Sequence, residues 1–196
     1  MSSFDPFRSS GLGRLRFQGV HAIGLSSGLI AWKGFRFSHI DTILPGGECF
    51  GARSDRVKAR GEPIPAGVEI RPRDYLWNCW DLVVEVELPC LPVIEERWLE
   101  WLRLQEHKPY DRWRILEIAL GANHIWRDDG MWFCSEMAER SLEPDTSGYR
   151  ESFSAIPDNR VDPGVFMFGA SLMRDAKLNV RKGVFDYLPI RSRAAA

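Results

Sequence analysis

No stretch of this chain approaches the uninterrupted apolar length that a membrane-spanning helix needs. The first twenty residues hold no continuous apolar run either, being broken by Asp5, Pro6, Arg8, Arg14 and Arg16. The expectation is a chain without a signal peptide, made and kept in the cytosol unless something else delivers it. There is no excess of one charge: 26 Lys and Arg face 27 Asp and Glu, a formal net charge of −1. That argues against nucleic acid or an anionic membrane surface as a partner. The four cysteines, Cys49, Cys79, Cys90 and Cys134, show no CxxC pair and no zinc-like spacing with histidine. Reduced thiols, no metal and no cofactor follow as expectations. A glycine-rich phosphate loop, internal repeats and low-complexity segments are all missing.

What is present is enough apolar sequence for a core: 196 residues, 44% hydrophobic and 12% aromatic, the size of one domain. Residues 1–20, rich in Ser, Gly and Arg, read as a loosely held arm. Residues 21–170 read as the domain proper, and residues 171–196 as a basic, solvated C-terminal extension. Within the domain, His21 to Trp32 suggests a short strand or turn and a short helix ending at Lys33-Gly34. Phe35 to Leu44 alternates as a strand whose one face carries Phe35, Phe37, His39, Asp41 and Ile43. Pro45-Gly46-Gly47 is a turn, and Glu48 to Arg53 returns as the second arm of a hairpin. A polar loop is expected over 54–66, then strands at Gly67–Arg71 and within Trp77–Leu88.

Helices are expected at Val93–Glu106, at Arg112–Leu120 with Asp111 as cap, and from Asp162-Pro163 to Met173. About four short antiparallel strands grouped together, with helices following, make an α+β class. Trp132 to Leu142 is a further helix, with Phe133, Met137, Ala138 and Leu142 at helical spacing. Asp128 or Asp129 is its candidate N-cap. Cys134 then falls in the first turn, where free N–H groups and the macrodipole favour a thiolate, the nucleophilic form. The competing reading is that Cys134 is a small buried hydrophobe, as most free cysteines are.

The order Phe37-Ser38-His39-Ile40, Gly51-Ala52-Arg53, Gly67-Val68-Glu69-Ile70-Arg71-Pro72, Lys108-Pro109-Tyr110-Asp111 and Trp132-Phe133-Cys134-Ser135-Glu136 resembles a known group. It is similar to the circularly permuted branch of the NlpC/P60 papain-like superfamily (YiiX/YebB-like proteins), over roughly residues 20–170. The resemblance implies a small antiparallel sheet packed against helices, with Cys134 as nucleophile and His39 as its general base. It implies Tyr110 bordering the site as a second oxyanion donor. The implied activity is hydrolysis of an amide in a peptide or peptidoglycan stem, or of an ester, through an acyl-cysteine. A non-catalytic phage or cell-wall binding module and a lipid acyltransferase are the alternatives. A phage or prophage origin, with virion or cell-wall association, is compatible with it. Where the superfamily carries the polar residue that orients the histidine, this chain has Gly51. Asp41, Glu48, a backbone carbonyl or a water are the candidates to orient His39 instead, and substitution at Gly51 is expected to be tolerated.

Overall fold

The computed structural model describes residues 5–22, 37–59, 61–113, 130–142, 149 and 162–183. These form an α+β architecture: a six-stranded antiparallel sheet, a two-stranded sheet, and three helices among the described residues. Strands β1 (Arg14–Ala22), β2 (His39–Ile43), β3 (Cys49–Arg53), β6 (Gly67–Arg71), β7 (Trp80–Pro89) and β8 (Lys177–Lys182) make the large sheet. Its order is β6-β3-β2-β1-β7-β8. The helices are α1 (Pro92–Arg103), α2 (Cys134–Arg140) and α3 (Pro163–Leu172).

The expected loose arm is instead the middle of the sheet. In β1, Leu15 and Phe17 alternate with Arg14, Arg16 and Gln18, the period of a strand buried on one face. It pairs with β2 on one side and β7 on the other. Ahead of it, Ser9 and Ser10 donate to the buried Glu95 carboxylate at 2.8 and 2.7 Å, and Phe7 packs edge-on against Phe50 at 5.2 Å. Arg14, Arg16 and Gln18 disguised this strand, because they take the positions that alternate with Leu15 and Phe17. The boundary drawn between residues 20 and 21 therefore cuts a strand. At the other end, Lys177–Lys182 is not a free tail but an exposed edge strand paired to β7.

Each face of the sheet has its own core. Phe17, Ile40, Phe50, Val84 and Val86 meet Trp98 and Leu102 of α1, Met137 and Ala138 of α2, and Phe166 and Met167 of α3. Phe17 sits between Trp98 and Phe166, edge to face at 5.8 and 4.9 Å. On the opposite face Val20, Cys49, Val83, Tyr75 and Trp80 form a smaller cluster. The span expected to be a loop, 54–66, covers it: Val57–Ala59 (β4) pairs with Glu62–Ile64 (β5), burying Val57 and Ala59. With Asp162 Oδ1 accepting from Val165 N at 2.9 Å and Pro163 at the first position, α3 begins as its sequence indicates. The expected short helix ending at Lys33-Gly34, residues 114–120 of the helix expected over Arg112–Leu120, and the connection at 143–160 apart from Tyr149 lie outside the described residues. Among the described residues no helix is long and apolar enough to cross a membrane.

Candidate active site

Strand alternation brings the first two site residues together. His39 and Asp41, two apart on β2, share the face away from Ile40. The His39 Nε2 to Asp41 Oδ1 distance is 2.9 Å, and both residues are buried. A carboxylate only accepts, so Nε2 carries the proton and Nδ1 keeps its lone pair. Asp41 Oδ2 accepts from the Tyr75 hydroxyl at 2.9 Å, and Tyr75's oxygen accepts from Arg53 Nη1 at 3.2 Å. Arg53 also grips Asp55 through Nε and Nη2 at 2.9 and 3.1 Å.

Burial alone would raise the Asp41 carboxyl, but His39, Arg71 and Arg53 outweigh it and hold the group below the usual carboxylate range. Burial lowers the His39 imidazole; Asp41 opposes this and the two guanidiniums reinforce it. Burial likewise pushes the Tyr75 phenol well up, so it stays a neutral donor to Asp41. His39 is thus a neutral imidazole of fixed tautomer at pH 7.

Gly51 explains how Asp41 reaches this place. A Cβ on Gly51 would stand 2.3 Å from Asp41 Oδ1 and 3.3 Å from the Ile40 carbonyl. The missing side chain is the room that the Asp41 carboxylate occupies, and the expected tolerance to substitution at Gly51 is corrected accordingly. Beneath it, Arg71 is 1% exposed and donates to the carbonyls of Gly51 (2.7 Å), Gly67 (3.0 Å), Glu69 (3.2 Å) and Pro65 (3.3 Å).

Cys134 opens α2, a helix of seven residues entered through Phe133 with no side-chain cap; Asp128 and Asp129 lie outside the described residues. The helix packs on β2 and β3. Burial pushes the thiol up to about 12, with the N–H of Ile40 and of Ser135 pulling it down, Asp41 raising it and Arg53 lowering it. Ile40 lies past the end of the β2–β3 ladder, whose pairs are Thr42↔Phe50 and Ile43↔Cys49, so Cys134 approaches where these two strands part. The nucleophile candidate thus meets the backbone of the residue next to His39. The expected resting thiolate is overturned. With Cys134 only 1% exposed, desolvation outweighs what a two-turn helix offers a charge. Among the described residues, the hydrogen bond of the His39 ring goes to Asp41 and none runs to the thiol.

No family model, curated protein or solved structure matches this chain. What these residues can do follows from their geometry.

Tyr110 stands beside the cysteine. It bridges to Trp132 in parallel, with Trp132 N donating to Pro109 O and Asp111 N to Trp132 O, both at 3.0 Å. Its ring lies 5.8 Å from that of Phe133. Burial first, and the charge Cys134 would carry second, push its phenol well up, so it remains a proton donor. Gln105 steadies this approach to α2: its Oε1 accepts from Trp132 Nε1 at 3.1 Å and from Lys108 Nζ at 2.8 Å. Glu48 is not brought to His39. It sits at the hairpin turn on the wall of a separate cavity, and the carboxylate that the His39 ring meets is that of Asp41. His21 and His107 pair with Asp81 and Glu69 away from the site, and His124 lies outside the described residues. Among the described residues no cluster of three or more His, Cys, Asp or Glu could hold a metal ion.

Sequence reading missed Arg53, Tyr75 and Arg71. A signal existed for Arg53: it falls at the same strand parity as Gly51, which faces Asp41, so a cation was due on the histidine's face. Tyr75 lies in a turn after β6, where no periodicity points to a target.

The site makes stability depend on pH with a definite sign. His39 titrates below its ordinary 6.5 when folded, so its contribution is complete above pH 6.5 and is lost as pH falls toward the folded value. Asp41, also lowered, adds a second loss below its ordinary 3.8. Thermal unfolding should show wild-type stability dropping as pH falls below 6.5, relative to His39→Gln. A difference that is flat or rises on acidification would refute the assignment of a neutral buried imidazole.

Proposed function

We propose that this protein is a cysteine hydrolase built on the permuted papain-like plan. It would cleave an amide of a peptide or peptidoglycan stem, or an ester, through an acyl-Cys134 intermediate. The single observation that carries this reading is the buried Nε2–Oδ1 bond of 2.9 Å between His39 and Asp41, on the strand whose Ile40 N–H meets the Cys134 sulfur. That bond leaves Nδ1 as the nitrogen able to take a proton. The chain order, histidine strand before cysteine helix, is the order the permuted plan requires.

The chemistry starts from a neutral pair. His39 Nδ1 takes the thiol proton as sulfur attacks the substrate carbonyl carbon, and the carbonyl π electrons move onto oxygen. The Cys134 N–H and the Tyr110 hydroxyl are the donors available to that oxyanion. Collapse of the tetrahedral adduct expels the amine or alcohol, which leaves with the proton from Nδ1. Water, deprotonated by the same nitrogen, then attacks the thioester, releasing the acid and restoring the thiol. Asp41 stays ionised and steadies the imidazolium at each stage. Hydrogen bonds of this kind tighten in the substrate complex, so the thiol and imidazole need close only then.

The burial of Cys134 favours a second reading, a binding or assembly module that keeps the architecture without turnover. Purified protein assayed on peptidoglycan fragments, peptide amides and acyl esters separates the two. The hydrolase reading expects hydrolysis that falls at least about 100-fold in Cys134→Ala and in His39→Ala. It also expects Tyr75→Phe to keep turnover within about tenfold while shifting its acid limb, since the phenol acts only through Asp41. Equal, low rates in all forms would support the module. Transfer of an acyl chain to an alcohol in preference to water would make the protein an acyltransferase.

A further inference from the structure

Two guanidiniums, those of Arg53 and Arg71, act on both Asp41 and His39, and they are held in different ways. Arg71 is fully buried and donates to backbone carbonyls, so the fold fixes its charge in place. Arg53, at the end of β3, is largely buried, with 13% of its side chain exposed, and it reaches two ways. Inward, its Nη1 donates to the Tyr75 oxygen at 3.2 Å, and Tyr75 donates in turn to Asp41 Oδ2 at 2.9 Å. Outward, its Nε and Nη2 donate to the two oxygens of Asp55 at 2.9 and 3.1 Å. The Ser54 carbonyl between these two residues accepts from Arg112 Nη2 at 3.1 Å. The groups that face His39, Cys134 and Tyr75 are Asp41 on β2, Cys49 and Arg53 on β3, Arg71 on β6, and Tyr110 ahead of α2. Asp55, its side chain 54% exposed, is the one charge of this network in open contact with solvent.

We infer that Arg53 is a positioning residue of this site, acting through Tyr75 and Asp41, and that Asp55 trims its charge from the surface. This role rests on the reading of His39 and Cys134 as reaction partners, and it adds where their ionisation is set. Arg53 tethers the Tyr75 oxygen, so the phenol's one proton stays on Asp41 Oδ2 and Oδ1 is left to His39. Two parallel bonds to Asp55 fix the plane of the guanidinium fork. A cation beside a buried imidazole and thiol disfavours the imidazolium and favours the thiolate, and a carboxylate paired to that cation weakens both effects. Removing Arg53 and removing Asp55 therefore act on the site with opposite sign, although each breaks the same ion pair. A pair that served stability alone would give both the same sign.

The test follows the His39 ring by NMR across pH in the intact chain, as wild type, Arg53→Met, Arg53→Lys and Asp55→Asn. Arg53→Met should raise the His39 midpoint, because a cation that opposes the imidazolium is gone. Asp55→Asn should lower it, because the same cation is left uncompensated. Arg53→Lys keeps the charge and should stay closer to wild type than Arg53→Met. A second readout is alkylation of Cys134 by iodoacetamide at pH 8, mapped by peptide against the exposed Cys79 as internal reference. It should run at least about twofold faster in Asp55→Asn and at least about twofold slower in Arg53→Met. His39 shifts of the same sign in Arg53→Met and Asp55→Asn, or no shift in either, would overturn the inference. If Arg53→Met does not fold, Asp55→Asn decides alone, and a His39 midpoint that stays put or rises there overturns it. Neither readout needs turnover. A protein that hydrolyses nothing would still show both, and a hydrolase that shows neither would lose this inference and keep the reading of its reaction.

Discussion

Gly51→Ala is expected to cost at least about 100-fold in turnover of whatever substrate the protein hydrolyses, while Gly51 itself touches no reacting atom. The added methyl would meet Asp41 Oδ1 at 2.3 Å, a separation that real contacts do not show. Asp41 is not the far end of a flexible chain free to give way. It is 0% exposed and held by His39 on one oxygen and by Tyr75 on the other. Either the carboxylate leaves the imidazole, freeing its tautomer, or β2 and β3 move apart and carry Ile40 with them. Overpacking of this kind also destabilises, by about 1–3 kcal/mol. The control is reciprocal. In an Asp41→Ala background, Gly51→Asn places an amide where the carboxylate was and should recover part of the loss. Steady-state kinetics of the single and double variants, with unfolding monitored alongside, decide it. Gly51→Ala at wild-type turnover would show that Asp41 does not orient His39.

The largest effect on stability is expected from Arg71→Met. The guanidinium satisfies four carbonyls, those of Gly51, Pro65, Gly67 and Glu69, at the end of the sheet where β3 and β6 meet. Methionine fills much of the volume but leaves those acceptors buried without donors, at about 3–5 kcal/mol in all. Its charge also helps hold Asp41 ionised, so the His39 titration should move as well. Urea denaturation of Arg71→Met against wild type measures the first effect. A loss below about 1 kcal/mol would mean that water replaces the guanidinium without penalty, and the side chain would then not be structural.

The α+β class, the hairpin β2–β3, β6, β7 and α1 are legible in the sequence because each carries one clear period and is bounded by Gly or Pro. Alternation also placed His39 and Asp41 on one face. β1 escaped because Arg14, Arg16 and Gln18 alternate with its apolar positions and look like a solvated arm until a partner strand supplies Glu87 opposite Arg16. The hairpin β4–β5 escaped for lack of length: three residues on each side, with Pro63 inside, cannot be told from a loop by pattern. The protonation of Cys134 was misjudged for a different reason. Position in a first turn is a local fact, whereas burial depends on how α2 seats against strands distant in sequence, and burial wins. Gly51 read as a gap in the site because a sequence shows which side chain is absent, not what fills the space.

The most direct measurement is intact-mass and peptide-mapping analysis after brief mixing with an activated acyl ester at neutral pH, quenched in acid. The account predicts one acyl adduct, on Cys134, absent from Cys134→Ala and formed far more slowly in His39→Ala, although Cys79 is exposed and Cys134 is buried. An adduct that forms first on Cys79, or on Cys134 at the same rate without His39, would contradict it.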